Sequence, residues 1–301
     1  MDNANASQAD FWTSPAGRAW VDHEPSLDAT MLGVLEALLD AAALTKAETV
    51  LDVGCGTGAS TIAAARQVPL GAVLGLDIAA PMLERARQRA MDEGLGNVAF
   101  RLCDAQVEPL SPGTHDALIS RFGMSFFGDS VAAFRNLAMA LRDGGRMVFV
   151  SWAGLDRNPW FAIPQQLAQR RLGAAPDPPS NGPGPLAFAD AAHVLDLMSQ
   201  AGLSDGQAET RQIDLTPPGG PSGAARLATH VGPAARLLRL CNATRRDRAA
   251  IAADIEHDFA AFGQGAAFRI PSAVHVFSCR ARRQVQGRQR NRPMLYCGAW
   301  A

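Results

Sequence analysis

Hydrophobic residues change their spacing along the chain, and the change predicts its organisation. From position 50, short apolar runs alternate with stretches in which apolar residues recur every three or four positions. Short runs are typical of buried strands, and the wider spacing is typical of helices that cover one face. The alternation therefore predicts a parallel sheet flanked by helices. The expected strands are residues 49–53, 72–77, 98–103, 117–120 and 146–152.

The helices between these strands carry recognisable end signals. One helix is expected over residues 59–67, after a glycine-rich loop. The next has Pro81 in its first turn and Gly94 at its end. Asp129 is the expected N-cap of a third helix, which should end at Gly144.

Beyond residue 152 prolines and glycines interrupt the pattern. Residues 176–185 hold five prolines and two glycines, and residues 217–223 form a second predicted break. Helices are expected over residues 190–201 and 224–262, and strands over 207–215 and 273–279. The predicted organisation is a helical lid (1–43), an α/β domain (44–279) with cap insertions near 153–186 and 216–268, and a basic tail (280–301).

Composition limits the classes of protein that this chain can represent. Apolar residues make up 48% and charged residues 19%, which is enough for a sizeable core. The longest apolar stretches, such as residues 34–39, are far shorter than the roughly 18 residues of a membrane span. The first residues are neither basic nor apolar, so we expect no secretory signal and a cytoplasmic location.

Two residue types exclude further mechanisms. Lys46 is the only lysine, and it lies in a polar stretch before a strand. A phosphate loop needs Gly-Lys-Ser/Thr and a pyridoxal enzyme needs a Schiff-base lysine in a pocket, so neither is expected. The five cysteines form no Cys-x-x-Cys pair, which favours free thiols and predicts no metal site.

Charge is unevenly distributed along the chain. Residues 280–301 hold six arginines and no acid, which leaves residues 1–279 at −7 although the whole chain is at −1. An acidic body is a poor partner for a polyanion, and a terminal basic run is usually solvated. We therefore expect no nucleic-acid partner.

The first strand opens into a glycine-rich loop with the spacing G-x-G-x-G. Glycines let a ligand lie directly on the backbone, and the following helix offers its free N–H groups. The spacing differs from the dinucleotide fingerprint G-x-G-x-x-G. Asp77 ends the second strand 19 residues after Gly58, where a carboxylate can accept both ribose hydroxyls of an adenosine group. Asp104 follows the third strand at the same edge of the sheet.

Each of these residues also has a structural interpretation. Asp52 is then an ordinary acid of a strand end, Gly58 a turn residue and Asp77 a helix cap. Met82 is open to the same interpretation, as a core residue. Taken together, the glycines and the acids favour a ligand site over these separate roles.

Five motifs occur in order between about residues 49 and 152. They are Leu51-Asp52-Val53-Gly54-Cys55-Gly56-Thr57-Gly58, Gly75-Leu76-Asp77-Ile78 with Met82, Cys103-Asp104-Ala105, Ser120-Arg121-Phe122-Gly123 and Leu141-Arg142-Asp143-Gly144-Gly145-Arg146. This series resembles the class I S-adenosylmethionine-dependent methyltransferases, in particular the small-molecule group related to ubiquinone and menaquinone biosynthesis enzymes. The resemblance implies a Rossmann-like, seven-stranded, mostly parallel sheet whose last strand is antiparallel, with S-adenosylmethionine as the cofactor.

The resemblance also implies roles for individual residues. Gly54 and Gly56 are expected near the methionine portion of the cofactor, and Asp77 is expected to hold the ribose. The adenine is expected between Ile78 and Met82, with Asp104 and Ala105 at its edge. The remaining predicted cofactor-binding residues are Asp52, Cys55 (through its backbone N–H) and Ser120.

For methyl transfer the protein needs mainly to align the acceptor with the cofactor and to exclude water. A general base is needed only where the acceptor must lose a proton. His23, in the predicted lid, is the candidate base, with a purely structural role as the alternative. His115 precedes a strand and is expected at the surface.

Aromatic and apolar residues around the expected site suit a small hydrophobic or aromatic acceptor. The predicted substrate residues are Trp20, Arg121, Phe122, Met124, Phe126, Trp152 and Trp160. Packing of the lid against the sheet is the alternative role for the apolar members. Arg121 is open to two roles, contact with an anionic substrate group or pairing with an acid such as Asp129.

Two other functions remain compatible with the sequence. A nicotinamide-dependent oxidoreductase would use the same glycine loop and ribose acid, although the glycine spacing disfavours it. A protein that binds the cofactor without catalysis would explain the absence of a compelling base. The motifs expected for DNA amino methylation and for metal-dependent catechol methylation are absent after the fourth strand.

Overall fold

The computed structural model describes residues 5–174 and 182–282, and a seven-stranded sheet runs through this part of the chain. The strands are Thr49–Val53 (β1), Ala72–Asp77 (β2), Val98–Leu102 (β3), His115–Arg121 (β4), Leu141–Trp152 (β5), Ser204–Leu215 (β6) and Ile270–Arg280 (β7). Their order in the sheet is β3-β2-β1-β4-β5-β7-β6. Neighbouring strands are parallel except at β7, which is antiparallel to both β5 and β6. The predicted fold class is confirmed.

Helices precede the sheet, connect its strands and cover its faces. They are Ala6–Thr13 (α1), Pro15–Asp22 (α2), Glu24–Thr30 (α3), Leu32–Ala42 (α4), Ala59–Gln67 (α5), Ala80–Asp92 (α6), Ser130–Ala140 (α7), Pro159–Leu172 (α8), Ala191–Gln200 (α9), Gly220–Ala228 (α10), Pro233–Leu240 (α11) and Arg245–Phe259 (α12). The predicted N-terminal helical region is present as α1 to α4. None of these helices combines the length and apolarity that crossing a membrane requires.

The alternation of side chains along β1 divides the core into two layers. Val50 packs with α4, α5 and the cap helices on one face of the sheet, whereas Leu51 and Val53 pack with α7 and α9 on the other. Both layers are made of fully buried apolar side chains, including Leu38 in the first and Phe134 in the second. Burial of both faces explains the continuous apolar runs of the central strands.

Local end signals agree with the predicted boundaries in the first half of the sheet. The bounds of α5 are those predicted, and the predicted apolar face of α6, which includes Met82, is buried. Asp129 caps α7 by accepting a hydrogen bond from the backbone N–H of Ala132. Side-chain capping of this kind satisfies one of the free N–H groups at a helix start.

Two predictions near β4 and β5 are wrong. The helix α7 ends at Ala140 and not at Gly144, because the chain enters β5 at Leu141. Pairing with β4 then resumes only at Arg146. His115 is the first residue of β4 and is buried, with Nδ1 2.9 Å from the Thr114 hydroxyl, whereas the sequence predicted a surface position.

The predicted break at residues 217–223 is also only partly correct. Helix α10 begins at Gly220 with Pro221 in its first turn, where proline needs no hydrogen-bonded N–H. The predicted long helical stretch is divided into α10, α11 and α12, and these three pack with α8 into a helical cap. The division into lid, domain with cap insertions and tail stays a prediction. Part of the proline-rich segment (175–181) and most of the tail (283–301) lie outside the described residues.

Candidate functional site

A cavity of about 650 Å³ lies at the carboxyl ends of β1, β2, β4 and β5. Open α/β sheets bind their ligands at this edge. The helices α1, α2 and α3 form one wall and the cap helices α8 and α11 form another. The predicted site residues that line the cavity are Gly54, Cys55, Gly56, Asp77, Ile78, Met82, Asp104, Ala105, Trp20, Arg121, Phe122, Phe126, Trp152 and Trp160.

The glycine loop owes its path to a close backbone contact with the turn after β4. Gly54 has a φ of 65°, and a Cβ on it would lie 2.7 Å from the Cα of Gly123. A Cβ on Gly123 would lie 2.6 Å from the carbonyl oxygen of Val53. Neither position admits a larger residue without movement of the backbone.

Gly56 and Asp77 form the floor of the cavity. The backbone N–H of Gly56 donates to Asp77 Oδ2 at 2.8 Å, and the N–H of Ala79 donates to Oδ1 at 2.8 Å. Burial raises the pKa of the Asp77 carboxyl, and these N–H groups oppose the shift. Each carboxylate oxygen has a second lone pair available, so Asp77 can still accept two hydroxyl donors. These two acceptor positions fit the hydroxyls of the ribose of an adenosine group.

Asp104 is connected to the start of the described chain. Asn5 donates through Nδ2 to both carboxylate oxygens of Asp104, at 2.9 and 3.0 Å, and also to Gln106 Oε1. The side-chain carbonyl of Asn5 accepts from the N–H of Gly128. The buried Asn5 therefore joins the lid to the β3 and β4 edges of the cavity.

Four predicted site residues do not line the cavity, namely Asp52, Ser120, Met124 and His23. Met124 is buried in the core on the α7 face. Ser120 donates to the carbonyl oxygen of Val53 at 2.6 Å and so joins β4 to β1. These residues support the cavity from behind.

The position of Asp52 follows from the strand alternation. Its neighbours Leu51 and Val53 face α7, so Asp52 faces α5, where Oδ2 accepts from the hydroxyls of Ser60 and Thr61 at 2.7 and 2.6 Å. Oδ1 is buried and has no hydrogen-bond partner. Burial raises the pKa of Asp52 to about 6. The acid orders the start of α5 beneath the glycine loop.

Aromatic side chains make up much of the rest of the lining. Phe122 stacks on Trp152 with ring centroids 4.5 Å apart. Trp12, in α1, makes edge-to-face contacts with Trp20 and Phe126, with ring centroids 5.7 and 5.2 Å apart. Phe122 has a φ of 70°, which is uncommon for a residue with a side chain and is found at functional sites.

Arg121 is held by an acid of the lid. Asp28 in α3 accepts a hydrogen bond from Arg121 at 3.0 Å and forms an ion pair with Arg89 in α6, whose nitrogen lies 2.8 Å from Oδ2. Arg89 also donates to the carbonyl oxygen of Thr57 in the glycine loop. Of the two roles open to Arg121, ion pairing is therefore observed, but with Asp28 instead of Asp129.

His230, between α10 and α11, lines the cavity and was not chosen from the sequence. Its Nδ1 lies 2.8 Å from the carbonyl oxygen of Arg226, which can only accept, so Nδ1 carries the hydrogen. The neutral ring then has its lone pair on Nε2. The ring centroid of His23 lies 4.6 Å from that of His230, and burial, followed by the charge of His230, lowers the pKa of His23.

Other lining residues missed by the sequence analysis come from the cap. Gln165 and Gln169 of α8 and Arg236 and Arg239 of α11 border the cavity. No motif marks them, because their position depends on how the cap helices pack. Within residues 5–174 and 182–282 no cluster of His, Cys, Asp and Glu is arranged to hold a metal ion.

Residues 50–145 match the family model described as a methyltransferase domain. This match covers the central segment of the chain, from β1 to the start of β5. Curated relatives match segments of similar length. Aklanonic acid methyltransferase DauC of Streptomyces sp. (strain C5) is 36% identical over 98 residues, covering 32% of this chain and 44% of the relative. The ubiquinone/menaquinone biosynthesis C-methyltransferase UbiE of Cellvibrio japonicus is 37% identical over 100 residues, covering 33% of this chain and 40% of the relative.

The methyltransferase match spans less than half the length of these two relatives. Solved structures extend the likeness in fold alone. The YcgJ protein of Bacillus subtilis has a TM-score of 0.53 at 18% identity, covering 83% of this chain and 98% of that one. A phosphoethanolamine N-methyltransferase of Haemonchus contortus has a TM-score of 0.51 at 17% identity, covering 83% of this chain and 52% of that one. The resemblance to methyltransferases that the sequence motifs indicated is confirmed.

The backbone contact beneath the glycine loop predicts a position-specific effect of alanine. Gly123→Ala places a Cβ against the β1 backbone and should lower the free energy of unfolding by about 1–3 kcal/mol. Gly96→Ala is the control, because a Cβ there meets no atom within 4 Å, and it should change stability by less than about 1 kcal/mol. Urea denaturation measures both, and equal effects would contradict the contact.

The raised pKa of Asp52 predicts how stability depends on pH. Between its ordinary pKa of 3.8 and about 6, the folded protein binds the proton more tightly than the unfolded chain, so this residue's contribution to stability falls as pH rises. Asp52→Asn removes the titration. Relative to the wild type, the free energy of unfolding of this variant should rise by up to about 3 kcal/mol between pH 4 and pH 7.

Urea denaturation at several pH values tests this prediction. The control is Asp196→Asn, which replaces an exposed acid of α9. Stability profiles of wild type and Asp52→Asn that run parallel from pH 4 to pH 7 would show that the buried carboxyl does not titrate as described.

Proposed function

We propose that this protein is an S-adenosylmethionine-dependent methyltransferase that acts on a small, hydrophobic or aromatic acceptor. The observation that carries the proposal is the floor of the cavity, where Gly56 and the half-satisfied carboxylate of Asp77 meet at the end of β2. The match of residues 50–145 to the methyltransferase family supports it independently. The names of the curated relatives point to the same type of chemistry.

The residues of the cavity suit each part of the cofactor. We assign the ribose to Asp77, the methionine portion to the backbone around Gly54 and Gly56, and the adenine to the space between Met82 and Asp104. The bound cofactor would supply a methyl group made electrophilic by a positively charged sulfur. Asp52 and Ser120 take positioning roles, because neither side chain faces the cavity.

Closure of the cavity would exclude water from the reaction. The lid reaches the cofactor edge through Asn5 and is held over the glycine loop by the ion pairs of Asp28 with Arg89 and Arg121. The cap covers the opposite side with α8 and α11. Aligning two reactants in a water-poor site is the main source of acceleration in this chemistry.

The aromatic lining supports an aromatic or hydrophobic acceptor. Phe122, Trp152 and Phe161 form a continuous group of rings: Phe122 stacks on Trp152 at a centroid distance of 4.5 Å, and Trp152 meets Phe161 edge on at 4.9 Å. Trp160 also lines the cavity. Flat apolar walls of this kind bind aromatic small molecules. The cytoplasmic location expected from the sequence stays a prediction.

His230 is the side chain best placed to accept a proton from the acceptor. Its hydrogen bond to the carbonyl of Arg226 fixes the tautomer, so that Nε2 is free to accept. His23 lies behind it and does not line the cavity, so we propose a positioning role for His23.

Transfer of a labelled methyl group tests the proposed activity. The purified protein would be incubated with methyl-labelled S-adenosylmethionine and a panel of naphthols, quinols, thiols and aromatic amines. We expect label in at least one aromatic acceptor. Tight binding of the cofactor without transfer to any class would instead support a catalytically silent binding protein.

The role of His230 predicts a selective loss of rate. His230→Ala should lower kcat for acceptors that must lose a proton, such as phenols, by about a hundredfold or more, because general base catalysis contributes roughly that much. Affinity for S-adenosylhomocysteine should not change. His193→Ala, at an exposed position on α9, is the control. A rate for His230→Ala equal to that of the control would refute the assignment.

A further inference from the structure

Most charged side chains of the cavity already have partners. Glu24 and Asp28 of the lid are paired with Arg85, Arg89 and Arg121. Asp77 and Asp104 accept hydrogen bonds from backbone and side-chain amides. These groups are therefore already engaged by the protein, except for the buried Nη1 of Arg121, which has no hydrogen-bond partner in the described residues.

Arg236 and Arg239 of α11 differ from these groups. Both line the cavity, and both are solvent exposed, which places them at its opening. In the part of the chain that the structure describes, neither forms an ion pair with an acid or a side-chain hydrogen bond. Their spacing of three residues puts them on the same side of the helix.

The surroundings of these two arginines are positive and polar. Arg239 is exposed at the opening but partly covered by its neighbours; this partial burial lowers its pKa, and the charges of Arg248 and Arg236 lower it further. From the neighbouring helix α8, Gln165 and Gln169 border the same cavity and offer hydrogen-bond donors without charge. An anion placed here would be attracted by two guanidinium groups and would meet no acid among these neighbours.

We propose that Arg236 and Arg239 bind an anionic group, a carboxylate or a phosphate, on the methyl acceptor. The inference rests on the proposed function and narrows its substrate class to aromatic or hydrophobic acids. The apolar part of the acceptor lies along the Phe122 and Trp152 stack, and its anion lies at the opening of the cavity. Two guanidinium groups on one helix face suit an anion with at least two oxygens.

The test compares three probes of one shape. Calorimetric titrations would use 2-naphthoate, 2-naphthyl phosphate and the neutral 2-naphthalenemethanol, with protein saturated with S-adenosylhomocysteine. We expect at least one anion to bind about tenfold or more tightly than the alcohol, as hydrogen bonds to charged groups would give. The two anions distinguish a carboxylate site from a phosphate site.

Arginine variants test whether the preference for an anion depends on these two side chains. The double variant Arg236→Gln, Arg239→Gln should reduce the affinity of the preferred anion to that of the alcohol and leave the alcohol unchanged. Arg246→Gln, at an exposed position of α12 that does not line the cavity, should behave as the wild type. No preference for an anion in the wild type, or a preference that survives in the double variant, overturns the inference.

The titration with S-adenosylhomocysteine separates this inference from the proposed function. If S-adenosylhomocysteine binds to all variants alike but the anions are not preferred, the anion site is wrong and the cofactor site stands. If S-adenosylhomocysteine fails to bind, the proposed function is wrong, and the probes are compared on the protein alone by the same criteria.

Discussion

The contact between the backbones of Gly54 and Gly123 is the constraint on which the rest of the site depends. It brings the loop after β1 against the turn after β4, at a distance that a single Cβ would prevent. The loop then presents the N–H of Gly56 to Asp77, and the turn presents Phe122 to Trp152. The floor proposed for the cofactor and the wall proposed for the acceptor therefore both depend on this one backbone contact.

The lid and the cap are both anchored to the sheet. The lid combines polar contacts, Asn5 with Asp104 and Asp28 with Arg89 and Arg121, with apolar packing of α3 and α4 in the core. The cap is attached through apolar packing of α8 and α10 to α12 with the sheet. The same apolar layer therefore holds both walls of the cavity.

The sequence was sufficient for the sheet and for the glycine loop, because buried strands and glycine turns leave strong local patterns. It was insufficient for the cap. Residues 217–223 read as a break although α10 begins at Gly220 with Pro221 in its first turn. His230 and Arg236 carry no motif, since tertiary packing alone brings them to the cavity. The orientation of Asp52 could have been predicted, because it lies between Leu51 and Val53 on an alternating strand.

The central claim is that Asp77 and the glycine loop hold an adenosine cofactor with a sulfur side chain. Calorimetric titration of S-adenosylhomocysteine and of NAD⁺ into the wild type, Asp77→Asn and Asp196→Asn tests it most directly. We predict that only S-adenosylhomocysteine binds. Asp77→Asn should lower its affinity about tenfold or more, because an amide has one accepting oxygen where the carboxylate has two, and the control should leave the affinity unchanged. Binding of NAD⁺ alone, or equal affinity in a folded Asp77→Asn protein, would contradict the account.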